Sequence, residues 1–381
     1  MRQTVTRSQT DLFRIMVTNV AAISFFNFSP LILGALIDER SFTYQQVGWL
    51  AGIFMLGLAS VNTIWGIAQP RLPRHIVARS GAALASLCFV LAIPVHNFSI
   101  FAIVLAGAGI GCGLCFGLTI TSLGEDAMPE SKFGFMQALQ TLTAALGLFI
   151  LPWSTGLPIG IAGSGLLLCA ALMTAALASA GALTSNSSSL EPVNTKALTP
   201  RPTWPFWVAC AILLLNVAAE ASVWSFLERI ALARDITTQM ASQILAASFF
   251  AAGLGSLAGG FVGTKYGRTA PFLLAVGASI LAVFMFWQAS GLINYIIAVM
   301  LFAGAWNFGA CYRMGLAIAA DETGARAPLI PAAQTIGAAI GPALGGSLII
   351  NDNFSDLFLM AIGLWLVTIA LFYMVHARLK S

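Results

Sequence analysis

The sequence predicts an all-α integral membrane protein whose twelve transmembrane helices form two parallel six-helix repeats. Three observations support this fold class: a strongly apolar composition, a succession of apolar segments of helix length, and two related segments 194 positions apart. Each observation comes from a different property of the chain, and together they specify a membrane architecture before any functional residue is considered.

The composition is that of a membrane protein. Hydrophobic residues make up 59% of the 381 positions, charged residues only 8%, and the mean hydropathy is +0.89. A soluble domain of this size would lack the polar surface needed to stay in solution. The lipid bilayer is therefore the expected partner of most of the surface.

The apolar segments are long enough to cross a bilayer, which takes about 20 mostly apolar residues. The sequence divides almost end to end into twelve predicted spans: 12–36, 45–70, 76–95, 98–122, 134–153, 158–181, 205–227, 240–262, 271–290, 293–319, 330–350 and 356–376. An even number of spans places both termini on the same side of the membrane.

The basic residues give the orientation, because cytoplasmic loops carry an excess of Lys and Arg. With a cytoplasmic N-terminus, the predicted outer loops contain only Arg40, Arg229 and Arg234. The inner segments contain Arg2, Arg7, Arg14, Arg71, Arg74, Arg79, Lys132, Lys196, Arg201, Lys265, Arg268, Arg326, Arg378 and Lys380. The net charge of +4 thus reflects the excess of Lys and Arg in the predicted cytoplasmic segments and does not indicate nucleic-acid binding. We expect a multi-pass protein of a bacterial inner membrane, monomeric, with both termini cytoplasmic.

An internal repeat divides the chain into halves. The segment QTIGAAIGPALGG begins at Gln334, and a weaker copy, QTLTAALGLFILP, begins at Gln140. The same offset of 194 superimposes Gly66 on Gly260 and Arg74 on Arg268. Between the halves lies a stretch rich in Ser, Thr and Pro, which is typical of a linker. The predicted domains are a six-helix bundle over 1–181, a cytoplasmic linker over 182–203 and a second bundle over 204–381.

The loop after span eight, GFVGTKYGRTAPF over residues 260–272, combines glycines with basic residues. It contains Gly260, Gly263, Lys265, Gly267 and Arg268. These five positions match the cytoplasmic signature of the major facilitator superfamily, which the loop resembles. Thr264 stands where the family has an acidic residue. The equivalent loop of the first half keeps Arg71 and Arg74 but has Pro70 and Pro73 at the acidic and second glycine positions.

This resemblance implies a secondary transporter that works by alternating access, with a substrate site at the interface of the repeats. It also implies a cytoplasmic gate that includes Arg71, Arg74, Lys265, Gly267 and Arg268. Two acidic pairs at the inner ends of spans four and ten, Glu125–Asp126 and Asp321–Glu322, are expected to join that gate through ion pairs. Solvated helix ends are the alternative for the acidic pairs.

Polar residues inside the spans are candidates for function, because they are costly in lipid. On span one, Asn19 and Asn27 lie on one face. On span seven, Asn216, Glu220 and Trp224 form one stripe. On span ten, Trp306 and Arg313 share a face. The family resemblance implies that these three spans, with span four, line the substrate cavity. The alternatives are interhelical hydrogen bonds for the asparagines, packing for the tryptophans and a mutual salt bridge for Glu220 and Arg313.

A simple depth calculation disfavours that salt bridge. At the rise of an α-helix, Glu220 lies roughly 22 Å from the inner end of its span and Arg313 roughly 12 Å from the inner end of its own. The sequence therefore predicts separate roles. Glu220 is expected to carry a coupling proton, and Arg313, hydrated in the cavity, is expected to bind an anionic group of the substrate.

The glycines of the repeated segment allow two interpretations. Gly337, Gly341, Pro342, Gly345 and Gly346 form G-x-x-x-G-P-x-x-G-G, which resembles the antiporter motif of drug exporters. Small residues of this kind also let helices pack closely in lipid. Close packing is the favoured interpretation, and a role specific to exchange is the other.

We expect a small-molecule substrate, a proton as the coupling ion, no metal, no cofactor and no enzymatic activity. Aromatic residues expected along the cavity, Phe25, Phe26, Trp224 and Trp306, favour a substrate with an apolar body, and Arg313 favours an anionic group. The alternatives are an exporter of neutral or cationic compounds, and an uncoupled transporter-like receptor or lipid scramblase.

Overall fold

The computed structural model describes residues 8–68, 72–124, 129–183, 204–263, 265–288, 291–321, 326 and 329–380. Within these residues the chain is almost entirely helical. Twelve helices have between 19 and 32 residues, and one short helix has 6. The prediction of twelve spanning helices is confirmed. By length and composition alone, ten of the described helices qualify as membrane spans.

The first half contains α1 (Gln9–Arg40), α2 (Tyr44–Ala68), α3 (Arg74–Ala92), α4 (Phe98–Gly124), α5 (Pro129–Ile150) and α6 (Gly160–Ser179). The second half contains α7 (Trp204–Ser225), the short α8 (Leu227–Leu232), α9 (Thr238–Val262), α10 (Thr269–Gln288), α11 (Leu292–Ala320), α12 (Leu329–Leu348) and α13 (Ser355–Lys380).

The contacts divide the chain into two compact units. One comprises Met1–Thr43 and Ile53–Leu190, and the other comprises Tyr44–Gly52 and Glu191–Ser381. The start of α2 thus groups with the second unit, where Gly48 approaches the backbone of Pro342 and Gly346 approaches that of Tyr44. The predicted boundaries at 181 and 204 stay a prediction.

Neighbouring residues at the end of α1 join two other helices of the first unit. The Glu39 carboxylate accepts hydrogen bonds from the backbone N–H groups of Ile161 (2.6 Å) and Ala162 (3.1 Å), which open α6. A carboxylate is favourable there because the first turn of a helix has unpaired N–H groups and a partial positive charge. The guanidinium of Arg40 donates to three backbone carbonyls at the end of α3, those of Ala92, Ile93 and Val95.

The span-seven region contains a break that the apolar pattern does not reveal. Helix α7 ends at Ser225, and Phe226, with φ −116° and ψ 10°, separates it from α8. The hydroxyl of Tyr295, on α11, donates to the carbonyl of Leu227 at 2.8 Å. A tertiary hydrogen bond therefore anchors the backbone just after the break.

Candidate functional site

Two charged side chains of the predicted spans form a buried ion pair inside the second unit. Arg313, on α11, donates from Nη1 to Oε1 of Glu220 at 2.6 Å and from Nη2 to Oε2 at 3.0 Å. Glu220 is 1% exposed and Arg313 is 2% exposed. The contact is a two-point fork of the kind that only arginine makes with a carboxylate.

This pair corrects the prediction that Glu220 and Arg313 are too far apart along the membrane to meet. The depth calculation compared backbone positions, whereas side chains on a helix tilt toward its N-terminus. Because α7 and α11 are the seventh and tenth spans, they run in opposite directions. The two long side chains therefore converge, and their combined reach closes the gap of about 10 Å estimated from helical rise. The expectation that Arg313 is hydrated in the cavity is also wrong, because its side chain is buried and paired with Glu220.

Asn216 completes the polar contacts of the guanidinium. It lies one turn before Glu220 on α7, and its Oδ1 accepts a hydrogen bond from Nη1 of Arg313. Its Nδ2 donates to the hydroxyl of Thr368, on α13, at 3.1 Å. Nη2 of Arg313 also lies 3.5 Å from the carbonyl oxygen of Trp306. The remaining donor, Nε of Arg313, is buried and has no hydrogen-bond partner among the described residues.

Aromatic side chains lie beside this polar cluster. The Trp224 and Trp306 rings meet edge to face, with their centroids 6.4 Å apart. Phe249 packs against Trp224 at 5.7 Å and Phe302 against Trp306 at 5.9 Å. Trp224 is one turn after Glu220, and Trp306 is two turns before Arg313. The structure thus places an apolar wall next to the ion pair.

The structure brings together Glu220, predicted for proton coupling, and four of the residues predicted for substrate binding: Asn216, Trp224, Trp306 and Arg313. Their functional roles stay predictions. Thr368 is an addition that sequence reasoning missed. A threonine in an apolar helix gives little signal, because its hydroxyl can be satisfied by its own helix.

The candidates in the first unit have different surroundings. Asn19 is fully buried, and its Nδ2 donates to the hydroxyl of Thr119 on α4 at 2.9 Å, which is an interhelical hydrogen bond. Asn27 is partly buried. Phe25 is 1% exposed and packs against Phe54, with ring centroids 4.5 Å apart. Phe25 therefore belongs to the core of this unit in the described state, and a role in contacting substrate stays untested for all three residues.

Only some residues of the predicted gate lie among the described residues. Gly267 has φ +70°, a conformation that glycine adopts without strain, so the signature loop needs a glycine there. Lys265 is exposed, whereas Arg74 and Arg268 are partly buried. The carboxylate of Asp321 accepts a hydrogen bond from the backbone N–H of Arg326 at 2.9 Å. Arg71, Glu125, Asp126 and Glu322 lie outside the described residues, and the gating role of the whole set stays a prediction.

The glycines of the repeated motif pack α12 against α7. A Cβ atom at Gly337 would overlap the carbonyl oxygen of Leu214, and one at Gly341 would overlap that of Ala218. At Gly345, a Cβ atom would lie 3.0 Å from Cβ of Ser222. Successive turns of α12 thus meet successive turns of α7, the helix that carries Asn216 and Glu220. This contact supports the packing interpretation of the motif.

Gly341→Ala is therefore expected to destabilise the protein, because the added methyl group must push α12 away from the backbone of α7. The measurement is the thermal unfolding midpoint of the purified protein in detergent. Gly363→Ala is the matched control, since a Cβ atom there has no neighbour within 4 Å. We expect a clear drop for Gly341→Ala and little change for Gly363→Ala; equal midpoints would contradict the packing interpretation.

Comparisons with known proteins agree with this architecture. The family profile described as Major Facilitator Superfamily matches residues 15–326. A mutant of the nucleoside transporter NupG has a similar structure, with a TM-score of 0.78 at 14% identity over 96% of this chain and 100% of that chain. No curated protein sequence matches the chain.

Two further solved structures share the fold. The tetrameric transporter PepTSo2 gives a TM-score of 0.74 at 11% identity, over 97% of this chain and 98% of that chain. An inward-facing, occupied bacterial homologue of the human lysosomal transporter Spinster gives 0.64 at 13% identity, over 96% of each chain. At these identities the similarity establishes the fold alone.

Proposed function

Because the chain belongs to the major facilitator superfamily and is a secondary transporter, we propose that it moves a small organic anion across the membrane in company with a proton. In this proposal Arg313 binds the anionic group and Glu220 carries the proton. Trp224 and Trp306 contact the apolar body of the substrate, and alternating access exposes the site to each side in turn.

The observation that carries the proposal is the buried fork between Arg313 and Glu220. An arginine keeps its charge at any accessible pH, whereas a glutamate can be neutralised by one proton. When Glu220 is ionised, the pair is neutral. When Glu220 is protonated, Arg313 carries an uncompensated positive charge in a region where such a charge is costly.

An anionic substrate removes that cost. Binding of a carboxylate to Arg313 restores neutrality only if Glu220 has taken up a proton, so proton binding and anion binding favour each other. The Nε donor of Arg313, which has no partner among the described residues, supplies one more N–H for a ligand carboxylate. Charge balance thus gives a physical basis for transporting the two together.

The aromatic side chains Trp224, Trp306, Phe249 and Phe302 support an amphipathic substrate. The rings of Trp224, which is buried, and Trp306, which is partly buried, meet edge to face. Aromatic rings favour stacked or edge-to-face contact with a flat ligand. Structurally similar proteins are described as transporters of nucleosides and as proton-dependent oligopeptide transporters. Both classes of substrate are small organic molecules, which is compatible with the proposal.

A binding screen followed by flux measurement tests the proposal. The purified protein is screened by thermal shift against aromatic and aliphatic carboxylates, each paired with its neutral primary amide. We expect acids to raise the unfolding midpoint and their amides to leave it unchanged. Labelled acid should then accumulate in proteoliposomes under an inward proton gradient, and a protonophore should stop the accumulation.

Other outcomes would favour the alternatives. Preferential stabilisation by neutral or cationic compounds would indicate an exporter of such compounds. Lipid movement without any gradient dependence would indicate a scramblase. Either result, with no effect of the acids, would contradict the proposed anion site.

The proposed orientation has its own test. Ser188, in the linker outside the described residues, should react as a cysteine variant with a membrane-impermeant thiol reagent only from the cytoplasmic side. Cells and inverted vesicles provide the two sides, and a background without the six native cysteines provides the control. Labelling in intact cells would reverse the proposed topology.

A further inference from the structure

We propose that Thr368 is a positioning residue for the Arg313–Glu220 pair and that it acts by fixing the orientation of the Asn216 side-chain amide. The inference deepens the proposed function and rests on it, because it explains how the second unit presents the pair. Thr368 belongs to α13, so the polar network includes three helices: α7, α11 and α13.

The hydrogen-bond chemistry of Thr368 dictates the direction of the contact. Its hydroxyl donates to the backbone carbonyl of Trp365 at 2.7 Å. A hydroxyl has a single hydrogen, so toward Asn216 the Thr368 oxygen can only accept. It therefore selects the NH₂ end of the amide, whose Nδ2 lies 3.1 Å away.

The carbonyl end of the Asn216 amide faces Arg313, and this contact requires the same amide orientation as the contact with Thr368. A guanidinium only donates, so it requires the carbonyl oxygen of Asn216. With Nδ2 held by Thr368, Oδ1 is turned to Nη1 of Arg313. The requirements at the two ends agree, and the chain of hydrogen bonds runs without conflict from Glu220 to the backbone of α13.

Because Thr368 and Asn216 are buried, the orientation of the Asn216 amide depends on the hydrogen bond between them. Thr368 and Asn216 are 0% and 1% exposed, so water does not replace a lost partner easily. An amide freed from Thr368 can rotate and point its NH₂ group toward the guanidinium, where two donors face each other. Arg313 then loses one of the acceptors that hold it in register with Glu220.

Few charged side chains lie on the helices α11, α12 and α13 that pack with α7. Arg313 is the charged group on α11 that contacts it. Helix α12 has no ionisable side chain, and the acidic and basic residues of α13, Asp356, His376, Arg378 and Lys380, lie toward its two ends. A change at Thr368 therefore reaches Glu220 through Asn216 and Arg313.

The first test is an infrared pH titration of the protonated carboxyl band of Glu220, assigned by its loss in Glu220→Gln. Thr368→Val keeps the shape but removes the hydroxyl; Thr368→Ser keeps the hydroxyl. We expect the midpoint in Thr368→Val to move by about one pH unit, a tenfold change in proton affinity, and that of Thr368→Ser to match the wild type. Equal midpoints in all three proteins would overturn the proposal.

A double-mutant cycle gives a second readout that needs neither substrate nor proton binding. Thermal unfolding is compared for wild type, Thr368→Val, Arg313→Gln and the double variant, with Thr368→Ala replacing Thr368→Val if the latter does not fold. Thr368 and Arg313 are linked only through Asn216 in the network described above. We therefore expect the double variant to be less destabilised than the sum of the single changes.

The two readouts separate the inference from the proposed function. If no Glu220 carboxyl band titrates in the wild type, the proton role of Glu220 fails, and the cycle still decides the role of Thr368. Strict additivity in the cycle would show that Thr368 only attaches α13 to α7, and the positioning role would then be wrong.

Discussion

Glu220→Gln is expected to abolish proton-driven accumulation of substrate while leaving exchange of labelled for unlabelled substrate intact. Glutamine is close in size to a protonated glutamic acid, and it is neutral at every pH. Arg313 then remains charged and available to an anion throughout the cycle. The substrate continues to bind and cross, but no proton is released, so the proton gradient no longer drives net movement.

The measurement compares net uptake and counterflow in proteoliposomes over a range of pH. The matched control is Asp356→Asn, which removes an exposed carboxylate from the first turn of α13. We expect the control to retain both activities and their pH dependence. If Glu220→Gln keeps the pH dependence of the wild type, another group carries the proton and the assignment is wrong.

The fold could be predicted almost completely because bilayer thickness constrains helix length so strongly. Each predicted span corresponds to one long helix, and the differences, including the break at Phe226 in span seven, lie at the ends. Helix α1, predicted over 12–36, extends over Gln9–Arg40, with the Ser8 side chain accepting a hydrogen bond from the N–H of Asp11. Hydropathy reports the lipid-embedded part, whereas capping decides where the helix ends.

The arginines of the predicted outer loops show a related limit of sequence reasoning. The positive-inside rule treats Arg40 and Arg234 as exceptions, and the structure gives both a local purpose. Arg40 caps the end of α3 through three carbonyls, and Arg234 donates to the carbonyl of Ile230 at the end of α8. A cation at the C-terminus of a helix is stabilised by the carbonyl groups that lack partners there.

The sequence identified the clustered residues of α7 and α11, but it gave neither their geometry nor Thr368, and their functional roles stay predictions. Spacings of four along α7 and seven along α11 identified the polar stripes, since those spacings return to one face of a helix. The pairing of Glu220 with Arg313 was not predictable from helical rise, because side-chain direction and helix polarity decide it. The contribution of Thr368 depends on which helix packs against α7, which periodicity does not report.

Arg313→Ala is expected to abolish binding of the anionic substrate, and Arg313→Lys to weaken it by roughly tenfold or more, in line with about 1.5–3 kcal/mol for a hydrogen bond to a charged group. Lysine keeps the charge but loses the planar fork that contacts Glu220 at two points. The measurement is the dissociation constant of the best acid from the thermal-shift screen.

A structural role for Arg313 must be separated from a binding role, because removing one partner of a buried ion pair costs about 3–5 kcal/mol in stability. The double variant Glu220→Gln with Arg313→Gln removes both charges and leaves no unpaired ion. We expect it to unfold at a higher temperature than Arg313→Ala and still fail to bind the acid. If the double variant binds the acid as tightly as the wild type, Arg313 serves stability alone and the anion site lies elsewhere.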